Sequence, residues 1–228
     1  RGGTGFRSGF WSPPHRPGLL INHWYLGLPP SAQPLTEAEY LELERRAKVK
    51  SEFFGGEMFA MAGGTPMHSL IATNLASEFR ERLKGGPCVA FNSDLRLKVE
   101  ATGLFSYPDL SVICGPLQFA PSTTDTILNP TVLAEVLSDS TEAYDRGKKF
   151  EHYRRIASLR EYLLVSQTEP RIEAFMRGEQ GSWELREAAG LNGSLGIPSL
   201  GIAISLAEVF ANVQFLPAPI RPPTGPGA

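Results

Sequence analysis

The sequence predicts an α/β or α+β domain in which a mixed central sheet is flanked by helices. Helical and extended patterns follow one another in the order helix, hairpin, helix, three strands, helix and further strands, which is typical of a sheet covered by helices. Hydrophobic residues make up 42% of the chain, enough to form a core. The 228 residues suit one domain of roughly 170 to 200 residues with tails at both ends.

Capping residues mark the starts of the predicted helices. Thr36 and Glu39 form a capping box, in which the two side chains bond to free backbone N–H groups of the first turn. Pro66 follows Thr65 and is preorganised for the first helical position, and Asp139 begins the third cap. The predicted helices cover about 36–47, 65 to the glycines at 85 and 86, 142–157, and a short segment near 206–210.

Alternating and continuous apolar runs predict the strands. The segment 89–99 alternates apolar residues, beginning with Val89, with polar ones that include Arg96, which indicates one apolar and one polar face. The segment 131–137 is apolar on both faces except for Glu135, so we expect it to be buried. The other predicted strands are 53–61 with a turn or bulge at Gly55-Gly56, 105–114, 161–166, and a hairpin of 171–176 and 182–188.

The chain ends are rich in glycine and proline, which is typical of flexible segments. We therefore expect flexible tails over 1–34 and 213–228 around a single domain over 35–212. No apolar run approaches the ~18 residues of a membrane span, and the first residues lack a signal-peptide pattern. The two cysteines, Cys88 and Cys114, are too few for a disulfide framework or a zinc site, so we expect a cytoplasmic protein.

Two acidic residues stand out on the predicted strands. Glu135 lies inside an apolar run, where an unpaired carboxylate is costly or takes a raised pKa; a solvated strand end or a pair with an arginine is the alternative. Asp109 follows Pro108 and opens another apolar run. Because proline belongs at a strand start or edge, we expect Asp109 where its strand enters or leaves the sheet, although Pro-Asp pairs also occur in ordinary turns.

The helix after Glu135 supplies a candidate lysine. Asp145, Lys149 and Tyr153 recur at a spacing of four and so share one face of the helix. Lys148 points about 100 degrees away, so only one of the two lysines can serve the same site. A solvated Asp–Lys pair with the tyrosine partly in the core is the alternative interpretation of this face.

Together these residues could form a site for phosphodiester hydrolysis. Carboxylates on neighbouring strands, such as Asp109 and Glu135, can bind Mg²⁺ through one oxygen each, and the ion lowers the pKa of a bound water. A nearby lysine, here Lys149, can orient or deprotonate that water or neutralise the charge that develops on the phosphate.

Five short motifs follow one another at characteristic spacings. They are Asp94-Leu-Arg-Leu, Tyr107-Pro-Asp-Leu-Ser-Val, Glu135-Val-Leu-Ser-Asp-Ser-Thr, Asp145-Arg-Gly-Lys-Lys and Glu161-Tyr-Leu-Leu-Val. Their order and spacing resemble those of the PD-(D/E)xK nuclease superfamily and, more specifically, of the Uma-type restriction endonucleases, a bacterial family most frequent in cyanobacteria. The resemblance covers about residues 35–212. It implies a restriction-endonuclease-like fold, a DNA substrate, a Mg²⁺ or Mn²⁺ ion held by Asp109, Glu135 and Val136, and a homodimer.

One position departs from the superfamily pattern, which places a lysine two residues after the glutamate, where this chain has Leu137. The Uma-type pattern takes its lysine from the following helix, which implies Lys149 as a catalytic residue beside Asp109 and Glu135. The superfamily often adds an early glutamate as well. Glu52 matches the family better than Glu57 and is the fourth predicted catalytic residue, with an exposed hairpin charge as the alternative for either.

Two further polar residues have ordinary explanations. Asp94 is a candidate acid, but an outward-facing strand position explains it equally well. His68 falls in the first turn of its predicted helix, where capping is the commoner role.

The leading hypothesis is a Mg²⁺-dependent DNA endonuclease. The net charge of −2 favours instead a nuclease-fold module that binds DNA or a protein partner without cutting, because proteins that grip a nucleic-acid backbone usually carry a basic excess. A metal-dependent hydrolase of small phosphoesters is the third alternative. The joint presence of Asp109, Glu135 and Lys149 favours an enzyme, since a scaffold needs no acid inside its sheet.

Overall fold

Thirteen strands and five short or medium helices make up residues 33–215, the part of the chain that the computed structural model describes. The strands are β1 Ser51–Phe54, β2 Glu57–Ala60, β3 Cys88–Asn92, β4 Arg96–Val99, β5 Leu104–Ser106, β6 Leu110–Cys114, β7 Thr126–Ile127, β8 Val132–Val136, β9 Glu161–Val165, β10 Arg171–Arg177, β11 Trp183–Ala189, β12 Ser194–Ile197 and β13 Ile202–Ser205. The helices are α1 Glu37–Arg46, α2 Pro66–Arg82, α3 Glu142–Tyr144, α4 Phe150–Tyr153 and α5 Leu206–Val209. A π-helical turn, Asp145–Lys149, joins α3 to α4.

Two sheets divide the strands. The larger has six strands in the order β11-β10-β9-β8-β6-β3, the smaller has five in the order β2-β1-β5-β4-β7, and β12 pairs with β13 in a hairpin of its own. In the larger sheet β8 and β9 run parallel and the other neighbours run antiparallel. This mixed sheet with helices against it confirms the predicted fold class. The predicted tails, 1–34 and 213–228, lie almost wholly outside the described residues.

The central strand β8 separates two parts of the core. Alternate residues of the strand, represented by Ala134, face a cluster that includes Ile71, Leu75 and Phe79 of α2. The residues between them, represented by Leu133, face a second cluster that includes Tyr153 of α4. Since side chains alternate along a strand, Glu135 lies on the same side as Leu133, toward α4. The face of α2 that carries Ile71, Leu75 and Phe79 therefore packs in the core.

Capping follows the sequence at both long helices. Thr36 and Glu39 form the predicted box at the start of α1, and the side chain of Thr65 accepts a hydrogen bond from the His68 N–H at the start of α2. In contrast, Thr141 makes no side-chain cap bond before α3. That helical segment ends at Tyr153 rather than near 157 because Arg154 closes the last turn.

The segment 53–61 is the predicted hairpin, with its turn at Gly55 and Gly56, which adopt positive φ. Two other strand predictions need correction. The segment 89–99 splits into β3 and β4, which belong to different sheets, so its alternation does not describe one face: Val89 is 54% exposed, whereas Arg96 is only 4% exposed. The segment 105–114 splits at 107–109, where the chain crosses from the smaller sheet to the larger. Strands β7, β12 and β13 were not predicted.

The two cysteines are joined by a disulfide. Cys88 of β3 and Cys114 of β6 are register partners on adjacent antiparallel strands. Two cysteines were judged too few for a disulfide framework, but register places this pair side by side and they form one bridge. No helix within residues 33–215 is long and apolar enough to cross a bilayer.

Candidate active site

The two predicted strand acids lie side by side at one end of the larger sheet. In the β6–β8 ladder Leu110 pairs with Ala134, and continuing that antiparallel register by one residue sets Asp109 opposite Glu135. Opposite residues of a ladder present their side chains to the same face. The Asp109 carboxylate accepts a hydrogen bond from the Val136 N–H through Oδ2, at 2.8 Å. This bond takes the place of a further ladder bond where β6 begins.

Lys149 lies among three carboxylates. Its Nζ is 2.9 Å from Glu135 Oε1, 3.0 Å from Glu52 Oε1 and 3.4 Å from Asp145 Oδ1. The lysine side chain is only 6% exposed. Lys148 points away, is 72% exposed and pairs with Glu151. The face predicted from the spacing of four is therefore the one that meets the sheet.

Glu52 reaches the site from the other sheet. Strand β1 lies in the smaller sheet, and Glu52 is 2% exposed. The neighbouring Ser51 is fixed through its backbone, since its N–H donates to Glu44 Oε1 at 2.9 Å and its carbonyl accepts from the Tyr40 hydroxyl at 2.8 Å. The Tyr107 hydroxyl donates to the same Glu44 oxygen. These buried bonds hold β1 at the depth that brings Glu52 to Lys149.

The other upstream acids lie outside this cluster. Glu57 is exposed on β2. Asp94 is exposed and pairs with Lys50 at 2.5 Å, which agrees with the outward-facing alternative. Of the three upstream acids Glu52, Glu57 and Asp94, Glu52 is the one that the fold brings to the strand acids.

Tyr153 bonds to Glu135 and not to the lysine. Its hydroxyl donates to Glu135 Oε1 at 2.9 Å and lies 3.0 Å from Ser106 Oγ. Tyr162 donates in turn to the Asp145 carbonyl at 3.1 Å. The tyrosine thus fixes the carboxylate that the lysine also contacts.

His68 is a site residue that the sequence argument missed. Its Nε2 lies 3.2 Å from Asp109 Oδ2, and its side chain is 21% exposed. The backbone of His68 takes part in capping, as expected, but the imidazole points to the strand acids. The available signal was its place in the first turn of α2, which does not by itself show where the side chain points. Burial tends to lower the pKa of His68, but the contact with Asp109, the charge of Asp145 and a hydrogen bond to the Val136 backbone together raise it, and the net shift is upward.

The electrostatics of the site are dominated by carboxylates. Glu52, Asp109, Glu135 and Asp145 stand against one ammonium. Burial raises the pKa of Glu135 well above its usual value, although Lys149 opposes the shift. Burial alone would lower the pKa of Lys149, but the charges of Glu135 and Glu52 raise it. Lys149 is therefore held as an ammonium, and the cluster keeps an excess of negative charge.

A cleft of about 1100 Å³ opens over these residues. Three basic residues, Lys48, Lys50 and Arg80, also line it. Lys48 and Arg80 are exposed, so cationic groups lie around a cleft whose deepest groups are acidic. The site residues among its lining are Glu52, His68, Asp109, Glu135, Val136, Asp145 and Lys149.

The donor set is compatible with a hard divalent cation. Each strand acid has one engaged oxygen, Asp109 Oδ2 and Glu135 Oε1, and within residues 33–215 the second oxygen of each makes no hydrogen bond. Val136 could add only its backbone carbonyl. Within residues 33–215 there is no group of three or more His, Cys, Asp or Glu side chains arranged to hold a metal ion. A Mg²⁺ ion nevertheless needs only one or two protein carboxylates, because it keeps several of its waters.

The mixed sheet, the crossing of two sheets at Asp109 and the carboxylate–lysine site define a protein of the restriction-endonuclease-like class. A crystal structure from Anabaena variabilis ATCC 29413, described as a putative nuclease belonging to DUF820, has the same fold with a TM-score of 0.64 and 19% identity, over 78% of this chain and 98% of that one.

The chain belongs to the Uma2 family, described as "Putative restriction endonuclease", whose model matches residues 37–207. The resemblance inferred from the motifs is thereby confirmed. Two proteins of Synechocystis sp. are similar: the uncharacterized protein slr1290 is 36% identical over 79% of this chain and 94% of its own length, and the uncharacterized protein sll1609 is 35% identical over 71% and 91%.

Proposed function

We propose that the protein is a Mg²⁺-dependent DNA endonuclease. The observation that carries this proposal is the Lys149 ammonium, buried and held 2.9 Å from Glu135 beneath an open cleft. A lysine so placed supplies the positive group that phosphodiester hydrolysis requires near the strand acids. Membership of a restriction endonuclease family supports the same reaction.

Each site residue has a role in this proposal. Asp109 and Glu135, with the Val136 carbonyl, would hold the ion, which when bound lowers the pKa of a water and attracts the phosphate. Lys149 donates hydrogen bonds to the attacking water or to a phosphate oxygen as negative charge develops there. Glu52 keeps the lysine charged and oriented, because it contacts the ammonium at 3.0 Å from strand β1 of the smaller sheet.

The excess of negative charge supports the choice of a cation. Four carboxylates and one ammonium leave a formal charge of about −3 when all of them are ionised, and a divalent ion would remove most of that repulsion. The same charge would repel a bare phosphodiester. We therefore expect DNA to bind at this cleft only when Mg²⁺ or Mn²⁺ is present.

The test is cleavage of supercoiled plasmid in Mg²⁺, in Mn²⁺ and in EDTA. Asp109→Asn should abolish cleavage and Lys149→Met should slow it roughly 100-fold or more, whereas Lys148→Met should cut like the wild type. A wild-type protein that leaves plasmid and single-stranded DNA intact in both metals would contradict the proposal. Hydrolysis of bis(p-nitrophenyl) phosphate without DNA cleavage would instead indicate a small-phosphoester hydrolase.

A non-cleaving DNA- or partner-binding module is the second candidate. The ion pairs of Lys149 favour this candidate. Lys149 already neutralises part of the charge of Glu52, Glu135 and Asp145, so the site has less need of a metal ion. A gel-shift assay tests this alternative. It would be established if the wild type binds DNA equally well with and without metal and cuts none of it.

We further propose that the endonuclease acts as a homodimer. Residues 33–215 of one chain carry one carboxylate–lysine centre, and a double-strand cut needs two. Sedimentation of the wild type with and without a DNA duplex tests this proposal, and a monomer that linearises plasmid at low protein concentration would contradict it.

A further inference from the structure

His68 lies at the edge of the site without touching the lysine cluster. It sits in the first turn of α2, and its Nε2 is 3.2 Å from Asp109 Oδ2. The same oxygen accepts the hydrogen bond from the Val136 N–H. Two donors from different elements therefore converge on one oxygen of Asp109, while Oδ1 makes no hydrogen bond within residues 33–215.

This convergence fixes the aspartate side chain. A carboxylate held through one bond can rotate about χ2, whereas two donors on one oxygen define both the rotamer and the oxygen left for a ligand. Donors that orient a metal-binding carboxylate in this way are generally required for affinity. We propose that His68 is a positioning residue, which together with the Val136 N–H sets Asp109 Oδ1 toward the divalent cation. This inference rests on the proposed metal-dependent function.

The local sequence makes room for the imidazole. A Cβ on Gly64 would come within 3.1 Å of His68 Cγ and within 2.8 Å of its Nδ1, and the second distance is closer than real Cβ atoms approach. The Thr65 side chain accepts from the His68 N–H at 3.1 Å, which fixes the backbone of the turn. The absent Cβ at 64 and the cap at 65 thus place the ring against Asp109, and a methyl group at 64 would displace it.

The experiment is Mn²⁺ titration of the metal-free protein by calorimetry, without DNA. His68→Ala should weaken Mn²⁺ binding roughly 10- to 100-fold, the usual effect of losing a group that orients a metal ligand. His68→Gln should restore most of the affinity, because its amide nitrogen can occupy the place of Nε2. The matched control is His152→Ala, since His152 packs on Phe54 and does not line the cleft.

Gly64→Ala provides an independent perturbation. It should weaken Mn²⁺ binding in the wild type but have little further effect in the His68→Ala background, because coupled residues are not additive. Equal Mn²⁺ affinities for wild type, His68→Ala and Gly64→Ala would overturn the role of His68 while leaving the metal site intact. A wild type that binds no Mn²⁺ would overturn the metal-dependent function itself. An effect of His68→Ala matched by His152→Ala would show a general loss of structure and would also overturn the inference.

Discussion

Replacement of Lys149 by methionine tests both the stability and the chemistry of the site. Lys149→Met keeps the length and apolar stem of the side chain and removes only the ammonium. Three carboxylates at 2.9, 3.0 and 3.4 Å from Nζ would then face one another in a buried space without a counter-charge. Removing one partner of a buried ion pair typically costs about 3–5 kcal/mol. A domain of this size loses roughly 2–4 °C of melting temperature per kcal/mol, so we expect a fall of roughly 6–20 °C.

The assay is calorimetry at neutral pH in EDTA, with Lys148→Met as the control. The control removes an exposed charge and should change stability by no more than about 0.5 kcal/mol. The difference between Lys149→Met and wild type should narrow at acidic pH, because protonated carboxyls no longer repel one another. In the cleavage assay Lys149→Met should lower the turnover rate roughly 100-fold or more. A Lys149→Met protein that melts and cuts like the wild type would refute the assignment of Lys149 as the lysine of the site. Loss of cleavage in Lys148→Met would show that Lys148 is that lysine instead.

Three other predictions follow from contacts described above. Glu135→Gln should abolish metal-dependent cleavage with little change in melting temperature in EDTA, since Lys149 keeps its two other carboxylates; a large fall would show that Glu135 is mainly structural. Burial raises the pKa of Glu161 above 4.5 despite hydrogen bonds that lower it. The protonated side chain therefore stabilises the fold below the unfolded pKa, and this contribution is lost as the pH rises through the folded pKa. The melting temperature of Glu161→Gln should thus rise relative to that of the wild type as the pH increases, and a difference that does not change with pH would contradict this. The bridge between Cys88 and Cys114 spans 26 residues, so the double alanine variant should lose roughly 3–4 kcal/mol and dithiothreitol should no longer shift its melting curve.

The sequence predicted the helices better than the strands. A cap is a local signal, and the sequence carries one at Thr36 and another at Thr65. Strand boundaries depend on which sheet each strand joins, and that is a long-range property. The residues around Tyr107 read as one run, but they carry the chain from one sheet to the other. Arg96 looked like a surface residue, yet it is buried and bonded to Tyr107 and Thr126, a network between elements that alternation alone does not reveal.

The site shows the same division between local and long-range information. The spacing of Asp145, Lys149 and Tyr153 predicted that Lys149 would meet Glu135, because helical periodicity fixes which face turns to the sheet. The position of Glu52 could only be proposed, since its strand belongs to the other sheet. His68 was assigned a capping role because the approach of α2 to the start of β6 has no sequence signature. Patterns along the chain thus indicated Asp109, Glu135 and Lys149, whereas the contact of His68 with Asp109, which depends on how α2 packs, was missed.

The π-helical turn has a consequence for comparing this chain with its relatives. A π turn holds one residue more than an α turn, so it is equivalent to a single-residue insertion. In an unbroken α-helix the residues before Asp145 would continue the helical path of α4. The π turn rotates them by about 100 degrees about the helix axis from those positions. A relative that lacks the extra residue must either present its lysine one position earlier or lose contact with the strand glutamate. An alignment of such a relative that allows no gap between 145 and 149 would pair its functional lysine with a solvent-facing residue of this chain.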